Sequence, residues 1–334
     1  MLKCSKEKTI NLKSSFTILF LLILLLIGGC KKNEIIQPLS NTQKEAIKYL
    51  PEESGFVMFL NLDMIRGTEF WDNYIKSSLP EKGSRNYWLV KLEKETGIGL
   101  NRGISQIFIS SGSDYPNVAV ILLNNNYTKI KNSFESQNGF FKQNIGKETV
   151  YELKGRYPLH FYFTNDSTIL AADNLDYIKA VINKNNSSLI NNRIFLSIIR
   201  RIKNKNQYWI ASDKGEYIVT YVRKVFNFEK KIPVNEVLKS IRSFTLSAEF
   251  DNGLELKSGL SCSDSKNAYL LSTAIKGALA MDLLSGGDYS FGKILQKTEV
   301  ESSNSLINLR LELKGDEINK LKDFAKLKNL ERKL

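Results

Sequence analysis

The sequence predicts an α+β fold of antiparallel sheets with helices packed on one face, together with an internal duplication. Three observations lead to this fold class. Short apolar segments occur in pairs joined by turn residues, as in antiparallel hairpins. Segments with apolar residues at three-to-four spacing follow these pairs and predict helices. The same order of elements also occurs twice along the chain.

The first predicted strand covers residues 56–62 and follows a turn-forming segment at 50–55. Its nearly continuous apolar character predicts burial on both faces. A helical stretch comes next, with side chains at three-to-four spacing: Phe70, Trp71, Tyr74 and Ile75. A second helix is predicted around residues 87–92. Aromatic stripes of this kind are typical of a protein core, and a pocket lining is the alternative.

The other elements of the first half follow from alternation and turn residues. Strands are predicted at 104–110, 118–123, 149–154, 159–164 and 168–172. Helices are predicted at 127–136 and 174–183. The connection at 111–117 contains Gly, Asp, Pro and Asn, so it predicts a turn between the first two of these strands.

The duplication is indicated by residues 104–136 and 241–275, which share the order strand, turn, strand and helix at an offset of about 137 residues. In the second copy, strands at 243–250 and 254–260 flank Asp251-Asn252-Gly253. Asn and Gly tolerate positive φ, so this sequence predicts a tight hairpin. Asp264 then has the position of a helix N-cap.

The flanks of the two copies also correspond. A strand at 208–212 and a helix at 216–228 match the elements at 56–78, and a strand at 306–313 precedes a helix at 316–328. The sequence therefore predicts a first α+β half at 46–205 and a second at 206–334. An accidental likeness between alternating structures is the alternative, because the identity between the halves is weak.

The amino-terminal segment has the parts of an export signal. An apolar run at 16–27, interrupted only by Thr17, follows four lysines: Lys3, Lys6, Lys8 and Lys13. A transmembrane helix needs about 20 apolar residues, and Lys31 and Lys32 end the pattern too early for one. Residues 1–29 are therefore predicted to be a signal peptide.

The signal ends in Ile27-Gly28-Gly29-Cys30, which closely resembles the lipobox of bacterial lipoproteins. The resemblance implies a thioether link between Cys30 and diacylglycerol, fatty acylation such as palmitate, and Cys30 as the first mature residue. It also implies an exported, lipid-anchored protein of the cell envelope. Lys31 in place of Asp fits the outer membrane of two-membrane bacteria. An ordinary signal peptide with a chance cysteine is the alternative.

Residues 30–45 are polar and include Gln37-Pro38, so they predict a flexible tether. The folded region opens with Leu50-Pro51 and an apolar strand that ends in Asn61-Leu62-Asp63. With its paired strand-strand-helix units, it resembles uncharacterised bacterial envelope proteins. It implies the fold and contributes no catalytic residues.

The chain has a net charge of +13 and stays strongly basic without its signal. Such a charge favours anionic partners, which outside the cytoplasm are lipid headgroups or acidic envelope polymers, and nucleic acid is not expected there. The densest basic run lies at 200–205. It is either a binding patch or a solvated helix end, where cations complement the exposed carbonyls.

Few side chains are candidates for catalysis or metal binding. The mature chain has one thiol besides Cys30, Cys262, which we expect to be a small buried hydrophobe. The single histidine, His160, is expected to be half-buried on one face of a strand beside Tyr162, with Phe161 and Phe163 opposite, and a catalytic base is the alternative. No metal site and no cofactor are predicted.

Two polar patterns have simpler interpretations than catalysis. Ser263 and Lys266 match the Ser-x-x-Lys element of penicillin-interacting enzymes, but the accompanying motifs are absent and the segment coincides with a helix cap. Glu249 and Asp251 form a carboxylate pair that we expect to be a solvent-exposed strand end running into a turn.

The helix predicted at 266–284 is the most apolar mature segment, so it is either buried between layers or in contact with something outside the domain. These observations together favour a lipid-anchored envelope protein that acts as a non-enzymatic binding or structural module. A carrier of a lipid or another hydrophobic ligand is the first alternative. An envelope hydrolase that uses carboxylates is the second.

Overall fold

A computed structural model describes residues 39–76, 102–112, 116–124, 127–136, 140–153, 158–202, 207–219, 238–284, 294 and 296–320. Several predicted features lie outside these ranges: the signal peptide, Cys30, the helix at 87–92, most of the 216–228 helix and the end of the 316–328 helix.

Within these ranges, twelve strands form one antiparallel sheet in the order β11-β12-β10-β9-β8-β1-β2-β3-β7-β6-β5-β4. Their bounds are β1 Phe56–Asn61, β2 Ile104–Ser111, β3 Val118–Leu123, β4 Phe140–Ile145, β5 Glu148–Leu153, β6 Leu159–Asn165, β7 Thr168–Ala172, β8 Tyr208–Ser212, β9 Ile241–Phe250, β10 Gly253–Cys262, β11 Glu299–Ser303 and β12 Leu306–Lys314.

Six α-helices have complete bounds among the described residues: α1 Asn41–Ile47, α2 Leu62–Arg66, α3 Tyr127–Ser136, α4 Leu175–Ile182, α5 Arg193–Arg201 and α6 Ser265–Leu284. A π-helical turn covers Trp71–Ile75, and a 3-10 turn covers Leu189–Asn191. Residues 215–219 and 315–320 are also helical.

The strand order repeats in the two halves, as the duplication predicts. One half-sheet has the order β1-β2-β3-β7-β6, and the other has the equivalent order β8-β9-β10-β12-β11. The two meet where β1 pairs antiparallel with β8. The β4–β5 hairpin is an addition to the first half. The two predicted halves thus share one continuous sheet.

The front of the sheet is the side that carries Phe59, Phe108 and Trp209, which are neighbours across β1, β2 and β8. These fully buried rings pack with Ile47 of α1 and Phe195 of α5 in one core cluster. Helix α4 contributes Ile178 and Val181 to the same cluster. Helices α1, α4 and α5 therefore cover the front around the first half and the centre.

The back of the sheet carries Met58, Ile109 and Ile210 at the matching registers. In the second half, Leu271 and Ile275 of α6 pack on the apolar residues of β9, β10 and β12. In the first half, α2 and α3 form a separate aromatic-rich cluster that contains Ile65 and Phe134. The back is thus covered along both halves.

The α+β fold class with antiparallel pairing is as predicted, and the cover by helices differs between the halves. First-half strands have helices on both sides, because residues on both faces of β1, β2 and β3 are apolar. The front of β10, β11 and β12 instead carries polar residues such as Lys257 and Arg310. The prediction that helices pack on one face of the sheet is therefore correct for these second-half strands and wrong for the first half.

Several boundaries differ from the sequence prediction. Strand β1 ends at Asn61, whose side chain accepts a hydrogen bond from Met64 N and starts α2 at Leu62. The folded body begins before residue 46, because Ser40 and Gln43 form a capping box for α1. Strands β4 and β11 and helix α5 were not predicted from the sequence.

Alanine substitutions at Gly277 and Gly146 should change the stability of the protein in opposite directions. A Cβ on Gly277 in α6 would meet nothing within 4 Å, and the same holds for Gly146, which has a φ of 61°. Gly277→Ala should raise the free energy of unfolding by about 0.5–1 kcal/mol through helix propensity. Gly146→Ala should lower it by about 1 kcal/mol, since alanine resists positive φ. Urea unfolding of both variants measures the two values, and a gain from both would contradict the assigned backbone.

Candidate functional site

A groove of about 680 Å³ lies beside the β9–β10 hairpin, on the described part of the chain. It is lined by Thr68, Gln207, Glu249, Phe250, Asp251, Asn252, Gly253, Leu254, Glu255, Arg310, Glu312, Leu313 and Lys314. The hairpin follows from Asn252-Gly253, and the close approach of Gly253 to β12 requires glycine, because a Cβ there would lie 2.3 Å from the Leu313 carbonyl oxygen.

Three glutamates lie side by side on adjacent strands, on the front of the sheet at this groove. Glu255 on β10 is the direct partner of Glu249 on β9 and of Glu312 on β12. Like charges placed opposite one another on adjacent strands destabilise a sheet. The groove therefore depends on cations for its stability.

Two cations hold the central carboxylate of this row. Arg310 Nε donates to Glu255 Oε1 at 2.6 Å, and Lys257 Nζ lies 3.1 Å from Glu255 Oε2. A terminal guanidinium nitrogen of Arg310 lies 3.6 Å from Glu312. Both oxygens of Glu255 are thus engaged by cations, and the Arg310 contact joins β10 to β12.

Glu299 on β11 is the next carboxylate along the sheet and lies opposite Arg310 in the register of β11 and β12. Partial desolvation and the neighbouring Glu301 and Glu312 carboxylates raise the pKa of the exposed Glu299 side chain, against the attraction of Arg310. The surface as a whole is a network of intramolecular ion pairs. Among the described residues, no group of three or more His, Cys, Asp or Glu side chains has a geometry that could hold a metal ion.

Sequence reasoning found Glu249 and Asp251 here but not Glu255, Arg310 or Glu312. Glu249 and Asp251 are exposed, and the Asp251 carbonyl accepts from Phe70 N at 3.2 Å, which fits the predicted role in a strand end and turn. The alternation of charged and apolar residues in β10 and β12 gives the face of each strand. It does not give the register that places the three glutamates together.

Cys262 and His160 lie where the sequence analysis expected them. Cys262 is buried in the core under α6, and burial raises the pKa of its thiol. His160 shares the front of β6 with Tyr162 and is buried, with an exposed fraction of 7%. It is more deeply buried than the half-buried position predicted. Neither side chain contributes to the groove.

Ser263 and Lys266 form part of a helix start. Asp264 Oδ1 accepts from Asn267 N at 2.8 Å, which confirms the predicted cap. The Ser263 hydroxyl donates to Asp264 Oδ2 at 2.8 Å and accepts from the Asn267 side chain. Hydrogen bonding to this cap lowers the pKa of the Asp264 carboxyl. The geometry therefore favours the cap over a Ser-x-x-Lys nucleophile.

Helix α6 buries one side and exposes the other. Ala268, Leu271, Ile275 and Leu279 pack on the sheet, as burial between layers predicts. Tyr269 and Leu270 are exposed on the outer side. None of the helices in the described ranges has both the length and the apolar character needed to cross a bilayer.

Only part of the densest basic run lies within the described ranges. The basic run at 200–205 begins at the end of α5, where Arg200 and Arg201 are exposed. Residues 203–205 lie outside the described ranges.

Comparison with known proteins bears on the fold. Crystal form III of a protein named TP0453 matches with a TM-score of 0.50 and 8% identity, over 80% of this chain and 92% of that one. Crystal form I of TP0453 matches with a TM-score of 0.46 and 8% identity, over 84% and 96%. The form III likeness supports the α+β architecture at the level of fold. Neither a family model nor a curated protein matches the sequence.

Proposed function

We propose that this chain is a bacterial envelope lipoprotein, anchored by acyl chains on Cys30, whose folded body acts by binding. The observation that carries the proposal is the sequence Ile27-Gly28-Gly29-Cys30 at the end of the apolar run 16–27. Two or three acyl chains anchor a protein stably where a single chain is marginal. No further membrane segment is needed.

The placement of reactive side chains supports a binding role. The Cys262 thiol is enclosed in the core, and the Ser263 hydroxyl belongs to a helix cap. The Glu255 carboxylate lies between two cations. A nucleophile or general base has to reach a substrate, and these three groups are occupied by structural contacts.

The mass of the mature amino terminus tests the anchor. The chain should be recovered from bacterial membranes with Cys30 as its first residue, carrying diacylglycerol and an amide-linked acyl chain. Cys30→Ser should accumulate at the precursor mass without lipid, because the thioether requires the thiol. Cys262→Ser is the matched control and should be acylated like the parent. A parent protein that begins at another residue without lipid would overturn the proposal.

A further inference from the structure

We infer that the outer stripe of α5, formed by Arg193, Ser197 and Arg201 with Ile194 beside it, rests on the anionic lipid surface to which Cys30 is anchored. This inference depends on the proposed function. The stripe consists of residues at four-residue spacing, so the three side chains lie on one side of the helix. The opposite side carries Phe195, Ile198 and Ile199, which are buried in the front core.

The composition of the stripe fits a lipid interface. Arg193 and Arg201 are exposed, and α5 contains no acidic residue. Ile194 is 69% exposed, the highest value among the exposed large hydrophobic side chains described. A single exposed isoleucine is ordinary, but one flanked by arginines matches interfacial helices, whose cations meet phosphates while an apolar side chain enters the headgroup region.

The position of α5 relative to the anchor supports the same orientation. The described chain begins at Leu39, nine residues after Cys30, so the tether spans at most about 30 Å. Leu39 packs on the front core beside α1. A hydrogen bond holds the start of α5 next to the segment that follows α1, since the Asn192 side chain donates to the Glu52 carbonyl at 3.0 Å. The stripe therefore lies on the side of the sheet where the tether enters.

A dye at the centre of the stripe tests the contact in the intact acylated protein. Ser197→Cys is labelled with an environment-sensitive fluorophore, since Cys262 is buried, and the protein is reconstituted in vesicles of phosphatidylcholine with or without phosphatidylglycerol. We expect a blue-shifted emission and protection from acrylamide only in the anionic vesicles. Added salt should reduce the protection, because it screens the arginines.

Removing the two arginine charges measures how much they contribute to membrane contact. Each cation near an anionic surface contributes about 1 kcal/mol, so Arg193→Gln with Arg201→Gln should lower the ratio of protected to free dye about 30-fold. The matched control is Lys266→Gln with Lys276→Gln, which removes two exposed cations from α6 on the back of the sheet. This control should leave the ratio unchanged.

Three outcomes would overturn the inference: equal protection in neutral vesicles, no effect of the arginine substitutions, or protection of a dye at Thr273 on α6 instead. Each is distinct from failure of the anchor itself. An anchor failure would appear earlier, as a protein without acyl mass on Cys30 that does not stay with the vesicles.

Discussion

Replacing Trp209 with alanine should lower the free energy of unfolding by about 3–5 kcal/mol, the usual cost of truncating a large aromatic side chain in a core. Trp209 lies on β8, at the junction of the two half-sheets, and is fully buried. Its ring stacks on Phe59 at 5.6 Å and meets Phe108 edge-on at 6.3 Å. Alanine would leave a cavity between the sheet and α5.

Trp209→Phe separates the effect of volume from that of the indole N–H. Trp209 Nε1 is buried and has no hydrogen-bond partner within the described ranges. Phenylalanine retains most of the ring packing and removes this unpaired donor, so we expect a cost of about 1 kcal/mol. Urea unfolding measures both variants. Phe141→Ala, at an exposed position on edge strand β4, is the control and should change stability by less than about 0.5 kcal/mol. A cost for Trp209→Ala as small as that of the control would show that β8 is not central.

The elements that the sequence predicted well have local causes. The β9–β10 hairpin follows from Asn252-Gly253, and α6 follows from its Asp264 cap and its apolar length. The strands at 118–123, 168–172 and 208–212 have the predicted bounds, because each is a continuous apolar run between turn residues. In these segments, local preference and tertiary burial favour the same structure.

The missed strands lack such a pattern. Strand β4 lies at one edge of the sheet and is mostly exposed, so its Phe-Phe-Lys-Gln-Asn-Ile sequence need not alternate. Strand β11 forms the other edge and buries only Val300. Helix α5 has a local signal, since Phe195, Ile198 and Ile199 have helical spacing and are buried.

The groove depends on contacts that no local pattern encodes. Glu255 and Glu312 are far apart in sequence, and they become neighbours only through the register of β10 against β12. The same register brings Arg310 opposite Lys257 and within reach of Glu255. Sequence alone gives the face on which each charge lies, while the sheet decides which charges meet.

Gly215→Ala should be the most damaging of the glycine substitutions, at about 3 kcal/mol of lost stability. A Cβ on Gly215 would lie 1.8 Å from the Ile241 carbonyl oxygen and 2.5 Å from its carbonyl carbon. Both obstacles are backbone atoms at the start of β9, so no side-chain rotation relieves the clash. The helix at 215–219 and β9 would have to separate, which disturbs the core around Ile218.

Gly55→Ala is the matched comparison, because a Cβ on Gly55 would also press on the helix at 215–219. A Cβ there would lie 2.5 Å from the Tyr217 hydroxyl, which is the far end of a side chain. A ring can move where a backbone carbonyl cannot, so Gly55→Ala should cost less than Gly215→Ala. Thermal and urea unfolding of the two variants rank the effects. The reverse ranking would mean that Tyr217, and not the Gly215–Ile241 backbone contact, fixes the position of the helix against the sheet.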